Sequence, residues 1–237
     1  MKEKIKLGYI GLGRRGHTLL AHCFSKMEDV EITMISDLSE ARMARSAKLI
    51  CDNGGKMPIM TKNYKDIINS PDIDAVAIMT GWSGRPQMAK EAMLAGKYTG
   101  IEVGCSDTVE ECFELIDVYE KTGVPLMMLE NCCYGRQEMM ALNMVKQGLF
   151  GEIVHCTGGY CHYLNQEDLF IRIDKEEIPH YRLEEYVKRN RENYPTHELG
   201  PIAKLLDINR GNRMVSLSSM ASGAFGPGAY ISQRPRT

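Results

Sequence analysis

Tyr194, Thr196 and His197 stand together in NYPTHELGP, a stretch dense in side chains that can move a proton or hold a polar ligand. A phenol and an imidazole three residues apart can act as acid and base on one substrate, given neighbours that tune them toward neutral pH. The residues after them, IAKLLDINRG, place Ile202, Ala203, Leu205 and Leu206 at helical spacing and run to Gly211, a residue type that ends helices. The trio would then sit at a helix entrance, where backbone N–H groups lack partners and the dipole favours negative charge. The spacing equally allows a structural reading, with Thr196 as N-cap, a packed Tyr194 and a solvated His197.

A second set lies near the start. KIKLGYI, an apolar strand over 4–10, runs into GLGRRG, which is G-x-G-x-x-G through Gly11, Gly13 and Gly16. A helix-like HTLLAHCFSKM comes next, then the strand VEITMIS ending at Asp37. Strand, glycine turn, helix and an acid about 20 residues on form the dinucleotide-binding pattern. Gly11 permits the tight turn, Gly13 lets a pyrophosphate reach the backbone, and Gly16 lets helix and strand pack. Asp37 can accept hydrogen bonds from both ribose hydroxyls and would repel a 2′-phosphate, so NAD is expected over NADP.

These residues need a frame, and the alternation supplies one. DAVAIMT (74–80) reads as a buried strand, RPQMAKEAMLAG as a helix, KYTGIEV as a strand, TVEECFELIDVYEKTG as a helix and VPLMMLE as a strand. Repeated βα units imply a Rossmann-type, doubly wound parallel α/β sheet with ligand at the strands' carboxyl ends. Those ends carry Thr80-Gly81-Trp82, Glu102-Val103 and Glu130-Asn131, expected to line one crevice. Trp82 can stack on a nicotinamide or fill the core, and Asn131 can hydrogen-bond the cofactor. Past Asn131 the pattern changes: CCYGRQEMMALNMVKQGLFGEI reads as a helix to Gly148, and IVHCTGGYCHYL alternates like a strand, which is expected over 152–163. The expected domains are residues 1–131, binding NAD, and 132–237.

Composition narrows the partners. The chain has 237 residues, 43% hydrophobic and 25% charged, with a net charge of −2. That balance is ordinary for a soluble globular protein and gives no electrostatic reason to expect nucleic acid. No apolar run approaches the ~20 residues that span a bilayer, and the opening MKEKIKLGYI enters a strand at once, so neither membrane nor signal peptide is expected. Eight cysteines include no C-x-x-C pair, so no metal motif is read; buried free thiols in a reducing cytoplasm are the expectation.

The glycine fingerprint, Asp37, a Glu at position 102 and GEI leading into a new segment resemble the glucose-fructose oxidoreductase/inositol dehydrogenase (Gfo/Idh/MocA) family. That resemblance implies a dinucleotide domain followed by an open α/β substrate domain. Dehydrogenases of the family carry Glu-Lys-Pro after the fifth strand; this chain reads Glu102-Val103-Gly104. They also carry an Asp four residues before the second-domain His, where this chain has Asn193. The departures match something narrower. ENCCYGR, GEIVH…GGY and NYPTHELGPIAKLLDINRGNRM resemble glycoside hydrolase family 109, over residues from about 4 to about 220.

The resemblance to family 109 implies site residues and an activity. Arg14, Arg15, Asp37, Trp82, Ser83, Gly84, Arg85, Glu102, Val103, Asn131, Tyr194, Pro195, Thr196 and His197 would contact NAD. Tyr160, Arg182 and Tyr194 would contact a small-molecule glycoside. The activity implied is an α-N-acetylgalactosaminidase in which NAD oxidises C3 transiently, C2 loses a proton, the C1 group is eliminated, water adds and the hydride returns. His197, Tyr194 and Tyr134 are the candidates for proton transfer. A phenol is a poor base unless a cation sits beside it, and Arg182 can supply one.

Family members run longer, and SLSSMASGAFGPGAYISQRPRT shows little strand pattern. The second domain is therefore expected to be incomplete. An apolar surface left exposed there would favour a homo-oligomer. Two other functions stay open: a sugar oxidoreductase that accumulates NADH, and a catalytically inactive NAD-binding module.

Overall fold

The computed structural model describes residues 4–161, 182, 185, 188–223 and 225. Contacts divide the chain into two units, Met1–Leu129 and Glu130–Thr237.

The first unit is a six-stranded parallel sheet in the order β3-β2-β1-β4-β5-β6. Its strands are β1 (Ile5–Ile10), β2 (Val30–Ser36), β3 (Ile59–Thr61), β4 (Ala75–Ile78), β5 (Tyr98–Ile101) and β6 (Leu126–Met128). The helices between them are α1 (Arg14–His22), α2 (Glu40–Asp52), α3 (Tyr64–Ile68), α4 (Arg85–Leu94) and α5 (Val109–Thr122). This is the Rossmann order, with the topological switch between β1 and β4. Alternation along each strand feeds two cores. Leu7, Tyr9 and Ala77 join Leu20, Met43, Ala47 and Ile50 in one, while Ile10, Val76 and Ile78 join Ile67, Ala89, Ala92 and Leu115 in the other. Helix starts obey local chemistry: Ser39 caps α2, and Thr108 with Glu111 closes a capping box on α5. The buried Tyr9 hydroxyl donates to Gly16 O at 2.7 Å, and its ring meets Phe24 edge-on at 5.3 Å. Burial, with the nearby Glu102 charge, pushes that phenol's pKa upward, so it stays a donor.

The second unit opens with a 3-10 turn (Asn131–Tyr134), then α6 (Arg136–Lys146) and, further on, α7 (Pro195–Leu205). The single helix expected from Cys132 is broken because Gly135 is extended, with φ −62° and ψ 152°. Helix α7 is capped by Tyr194, not Thr196, with Pro195 in the first turn, where its missing N–H costs nothing. It ends at Leu205, six residues before the expected Gly211, where Asp207 and Asn209 turn into the left-handed region.

Two further expectations are corrected. Residues 152–161 form no strand; 162 and 163 lie outside the described residues. A strand needs a hydrogen-bonded neighbour, whereas this segment rests against α7: a Cβ on Gly158 would stand 2.9 Å from Ile202 Cδ1 and 3.2 Å from Glu198 Cβ. The cysteines are free but none is buried; Cys23, Cys112 and Cys161 are exposed and the other five half-buried.

Candidate functional site

In the first unit, β1 runs into Gly11, whose φ is +95° and where a Cβ would stand 2.7 Å from Met79 C and Thr80 N, so any side chain is excluded. A Cβ at Gly16 would lie 2.1 Å from Gly11 O, so that glycine seats α1 against the turn. Gly13 differs: a Cβ there would meet nothing nearer than Arg42 Nη1 at 4.0 Å. The space over Gly13 lies at the N-terminus of α1, which has no side-chain cap and no acid in its first turn. Those are the conditions for an anionic pyrophosphate. Asp37 accepts from Leu12 N at 2.7 Å and Ser39 N at 2.9 Å. Its carboxylate keeps further lone pairs for ribose hydroxyls. Arg42 stands 3.9 Å from it. The residues present fit NAD.

The strand ends beyond this turn are tied together from below. Arg85 is 3% exposed, and its guanidinium donates to Glu102 O at 2.8 Å, Gly104 O at 3.1 Å, and the carbonyls of Val103 and Thr80. It therefore holds the ends of β4 and β5 together, inside the wall of the cradle. Glu102, also buried, accepts from Arg15 Nε at 2.8 Å and from Val103 N at 2.8 Å. Trp82 is 5% exposed, and a Cβ at Gly104 would lie 2.7 Å from its ring, so the indole is packed under that loop. Ser83 and Gly84 are exposed at the start of α4, where Gly84 takes φ +77°.

In the second unit, Tyr160, Arg182, Tyr194 and His197 converge. Arg182 Nη2 donates to the Tyr194 hydroxyl at 2.7 Å, and its guanidinium carbon lies 4.9 Å from that ring. The Tyr194 and His197 rings stack at 4.9 Å, and Tyr160 meets His197 edge-on at 4.7 Å. Burial raises the Tyr160 pKa, with Arg182 pulling the other way, so Tyr160 stands as a neutral hydrogen-bonding group. His197 Nδ1 faces both oxygens of the Glu130 carboxylate, at 2.8 and 2.9 Å. Glu130 also caps the 3-10 turn, accepting from Cys132 N at 2.9 Å.

Sequence reasoning sets Glu130 at a strand end expected to line the crevice but gives it no chemical role; its pairing with His197, 67 residues on, carries no sequence signal. Gly200 explains the closeness. A Cβ there would stand 2.9 Å from Cys133 Sγ and 3.3 Å from Glu130 Cγ, so a glycine lets α7 lie directly on the turn. Cys132 joins the pair: donor atoms of Glu130, Cys132 and His197 all lie within 4.8 Å of one another. Burial and the Glu130 charge push the Cys132 thiol upward.

The remaining residues fall elsewhere. Asn131 is exposed on the 3-10 turn. Pro195 is exposed, and the Thr196 hydroxyl is buried without a hydrogen-bond partner among the described residues. Tyr134 is 56% exposed, and its ring lies 4.1 Å under Lys204 Nζ rather than against His197. With Lys204 it lines a cavity of about 280 Å³ that also includes Lys146 and Arg210.

Residues 5–130 match the family model described as oxidoreductase family, NAD-binding Rossmann fold. NAD is accordingly the cofactor of the first unit. Residues 134–237 match the model of the glycosyl hydrolase 109 C-terminal domain. Among curated relatives, glycosyl hydrolase family 109 protein 2 of Shewanella sp. (strain ANA-3) is 41% identical over 232 residues, covering 96% of this chain and 50% of that protein. The glycosyl hydrolase family 109 protein of Shewanella amazonensis is 40% identical over 231 residues, with the same coverage. The chain thus spans about half the length of the curated relatives it matches. Among solved structures, apo scyllo-inositol dehydrogenase from Lactobacillus casei superposes with a TM-score of 0.58 at 21% identity, covering 65% of this chain and 44% of that one. The myo-inositol 2-dehydrogenase of Lactobacillus plantarum gives 0.57 at 24% identity, covering 64% and 44%. These likenesses establish the fold.

Proposed function

The chain belongs to the Gfo/Idh/MocA oxidoreductase family, and we propose that it is an NAD-dependent glycosidase acting on α-N-acetylgalactosaminides. Residues 1–131 would bind NAD and 132–237 would supply part of the substrate domain. The observation that carries this reading is the cluster of two opposed proton-handling pairs, His197 on Glu130 and Tyr194 on Arg182. The relatives' names support the glycoside.

NAD, when bound, supplies an acceptor for the C3 hydride of the sugar and returns it at the end of the cycle. Tyr194 relieves the C3 hydroxyl of its proton, the Arg182 guanidinium stabilising the negative charge on the phenol oxygen. With C3 a ketone, the C2 hydrogen is acidic. His197 takes that proton, and Glu130 holds the resulting imidazolium. The C2 electron pair forms the C1–C2 double bond as the C1–oxygen bond breaks. Water then adds at C1, its surplus proton going to the departed alkoxide; His197 gives a proton back to C2, and Tyr194 returns its proton to the C3 oxygen. Positioned acid–base groups of this kind contribute about 10²–10⁴ in rate each. Tyr160 remains protonated and donates a hydrogen bond to the sugar. Asn131, Pro195 and Thr196, with Tyr194 and His197, complete the set proposed to meet the cofactor; Tyr134 is the weaker catalytic candidate, given its place under Lys204.

Proton NMR of an aryl α-N-acetylgalactosaminide, incubated with the protein and NAD in D₂O, tests the route. Released sugar carrying deuterium at C2, with no net NADH, is the expected result. Accumulating NADH without release would mean a sugar oxidoreductase; release without C2 exchange would sink the elimination step.

A further inference from the structure

We propose that Glu130, Cys132 and His197 form an inhibitory binding site for a zinc-class divalent cation. Three facts of geometry carry it. One carboxylate oxygen, one thiol sulfur and one imidazole nitrogen all lie within 4.8 Å of each other, and the set is sheltered, with the side chains of Glu130 and His197 4% and 10% exposed. The ligands are oriented in advance. Cys132 N holds Glu130 Oε1 at 2.9 Å, and the rings of Tyr160 and Tyr194 pack on His197, whose Nδ1 is turned to Glu130. The donors are also of the right kind, since a mixed sulfur, nitrogen and oxygen set selects zinc-like ions over magnesium or calcium.

Around a tetrahedral zinc, with bonds of about 2.0–2.3 Å, donors sit roughly 3.3–3.6 Å apart. The His197–Glu130 pair, now 2.8 Å apart, must open by roughly half an ångström to match that spacing. Cys132 Sγ, within 4.8 Å of both, completes the set. The thiol loses its proton on binding, and the fourth position stays open to water. Nothing in sequence spacing marks the set, because Cys132 and His197 are 65 positions apart and meet only through the Gly200 contact. The consequence for activity rests on the function proposed above: an ion on Nδ1 replaces the proton that Glu130 orients, so His197 can no longer exchange a proton at C2.

Cobalt(II) absorption of the NAD-loaded protein is the test. Wild-type protein titrated with Co²⁺ should show a thiolate charge-transfer band and the visible bands of a tetrahedral ion, both displaced by Zn²⁺ and unaffected by Mg²⁺. Cys132→Ser should lose the charge-transfer band and weaken Co²⁺ binding by more than the roughly 10–100-fold that losing a supporting hydrogen bond costs a metal site. Cys133→Ser should leave both unchanged, and circular dichroism of each variant guards against misfolding. No band in the wild type, or an equal band in Cys132→Ser, overturns the site. Zinc should also suppress glycoside turnover in the wild type and not in Cys132→Ser. If the band behaves as stated but chelator-treated protein turns over no glycoside, the cation site stands and the glycosidase reading fails.

Discussion

His197 Nδ1 lies 2.8 and 2.9 Å from the two carboxylate oxygens of Glu130. Whichever oxygen accepts, Nδ1 must carry the hydrogen, so Nε2 is the nitrogen available as a base. The carboxylate also offsets the charge of the imidazolium formed when that base takes a proton. Glu130→Gln keeps the shape but makes the partner neutral and free to present its amide N–H, which favours the wrong tautomer. The expected result is a loss of about 10²–10⁴ in kcat. A variant with unchanged kcat would remove Glu130 from the mechanism.

Two of the fingerprint glycines, Gly16 and Gly13, should separate into fold and ligand roles. Gly16→Ala sets a methyl 2.1 Å from a backbone oxygen that cannot swing away, so the first unit should lose roughly 1–3 kcal/mol in urea unfolding. Gly13→Ala meets open space and should change stability by no more than about 0.5 kcal/mol. Its methyl instead stands where the pyrophosphate must approach, and NAD affinity should fall roughly tenfold, equivalent to about 1.4 kcal/mol. Equal stability losses in the two variants would contradict this division.

Much of the first unit is legible in the chain because its causes are local. Strand alternation, the glycine turn and the Ser39 and Thr108 caps each act within a few residues, and the parallel order comes from repeated βα units. The second unit is less legible because its causes are distant. Residues 152–161 alternate like a strand yet have no strand beside them among the described residues, and Glu130 meets His197 where Gly200 lets α7 approach. Arg85 shows the same limit in the first unit: nothing in the sequence marks that its guanidinium, at the start of α4, reaches the carbonyls beyond the ends of β4 and β5.

Stability should also carry a pH signature from His17, whose ring lies 3.0 Å from Ser46 Oγ. Burial first, and the Arg45 charge second, lower its pKa below the usual value of 6.5. The unfolded chain therefore takes up a proton at a higher pH than the folded one. Stability falls as pH drops through about 6.5, and the loss is complete only below the folded-state pKa. His17→Gln cannot titrate, so the difference between its urea midpoint and that of the wild type should change from about pH 7.5 to about pH 5.5. A constant difference across that range would mean the two states bind the proton alike.

Gly200→Ala tests the joint on which the second unit's chemistry depends. The added methyl would meet two side-chain atoms, Cys133 Sγ at 2.9 Å and Glu130 Cγ at 3.3 Å, the second in the arm that carries the carboxylate facing His197. Helix propensity alone would reward alanine by about 1 kcal/mol. The contact must therefore outweigh that gain for the variant to be destabilised, and overpacking of roughly 1–3 kcal/mol does so or nearly cancels it. Stability is consequently a weak readout, whereas geometry is a sharp one. A few tenths of an ångström between α7 and the turn lengthens the 2.8 Å bond from His197 to Glu130. Near-wild-type stability with kcat lowered by roughly tenfold or more, and KM little changed, is the expected pattern, since misplacement by an ångström can cost about 10²-fold. If Gly200→Ala lowers stability and leaves kcat alone, the glycine serves packing only, and the His197–Glu130 pair does not depend on the close approach of α7.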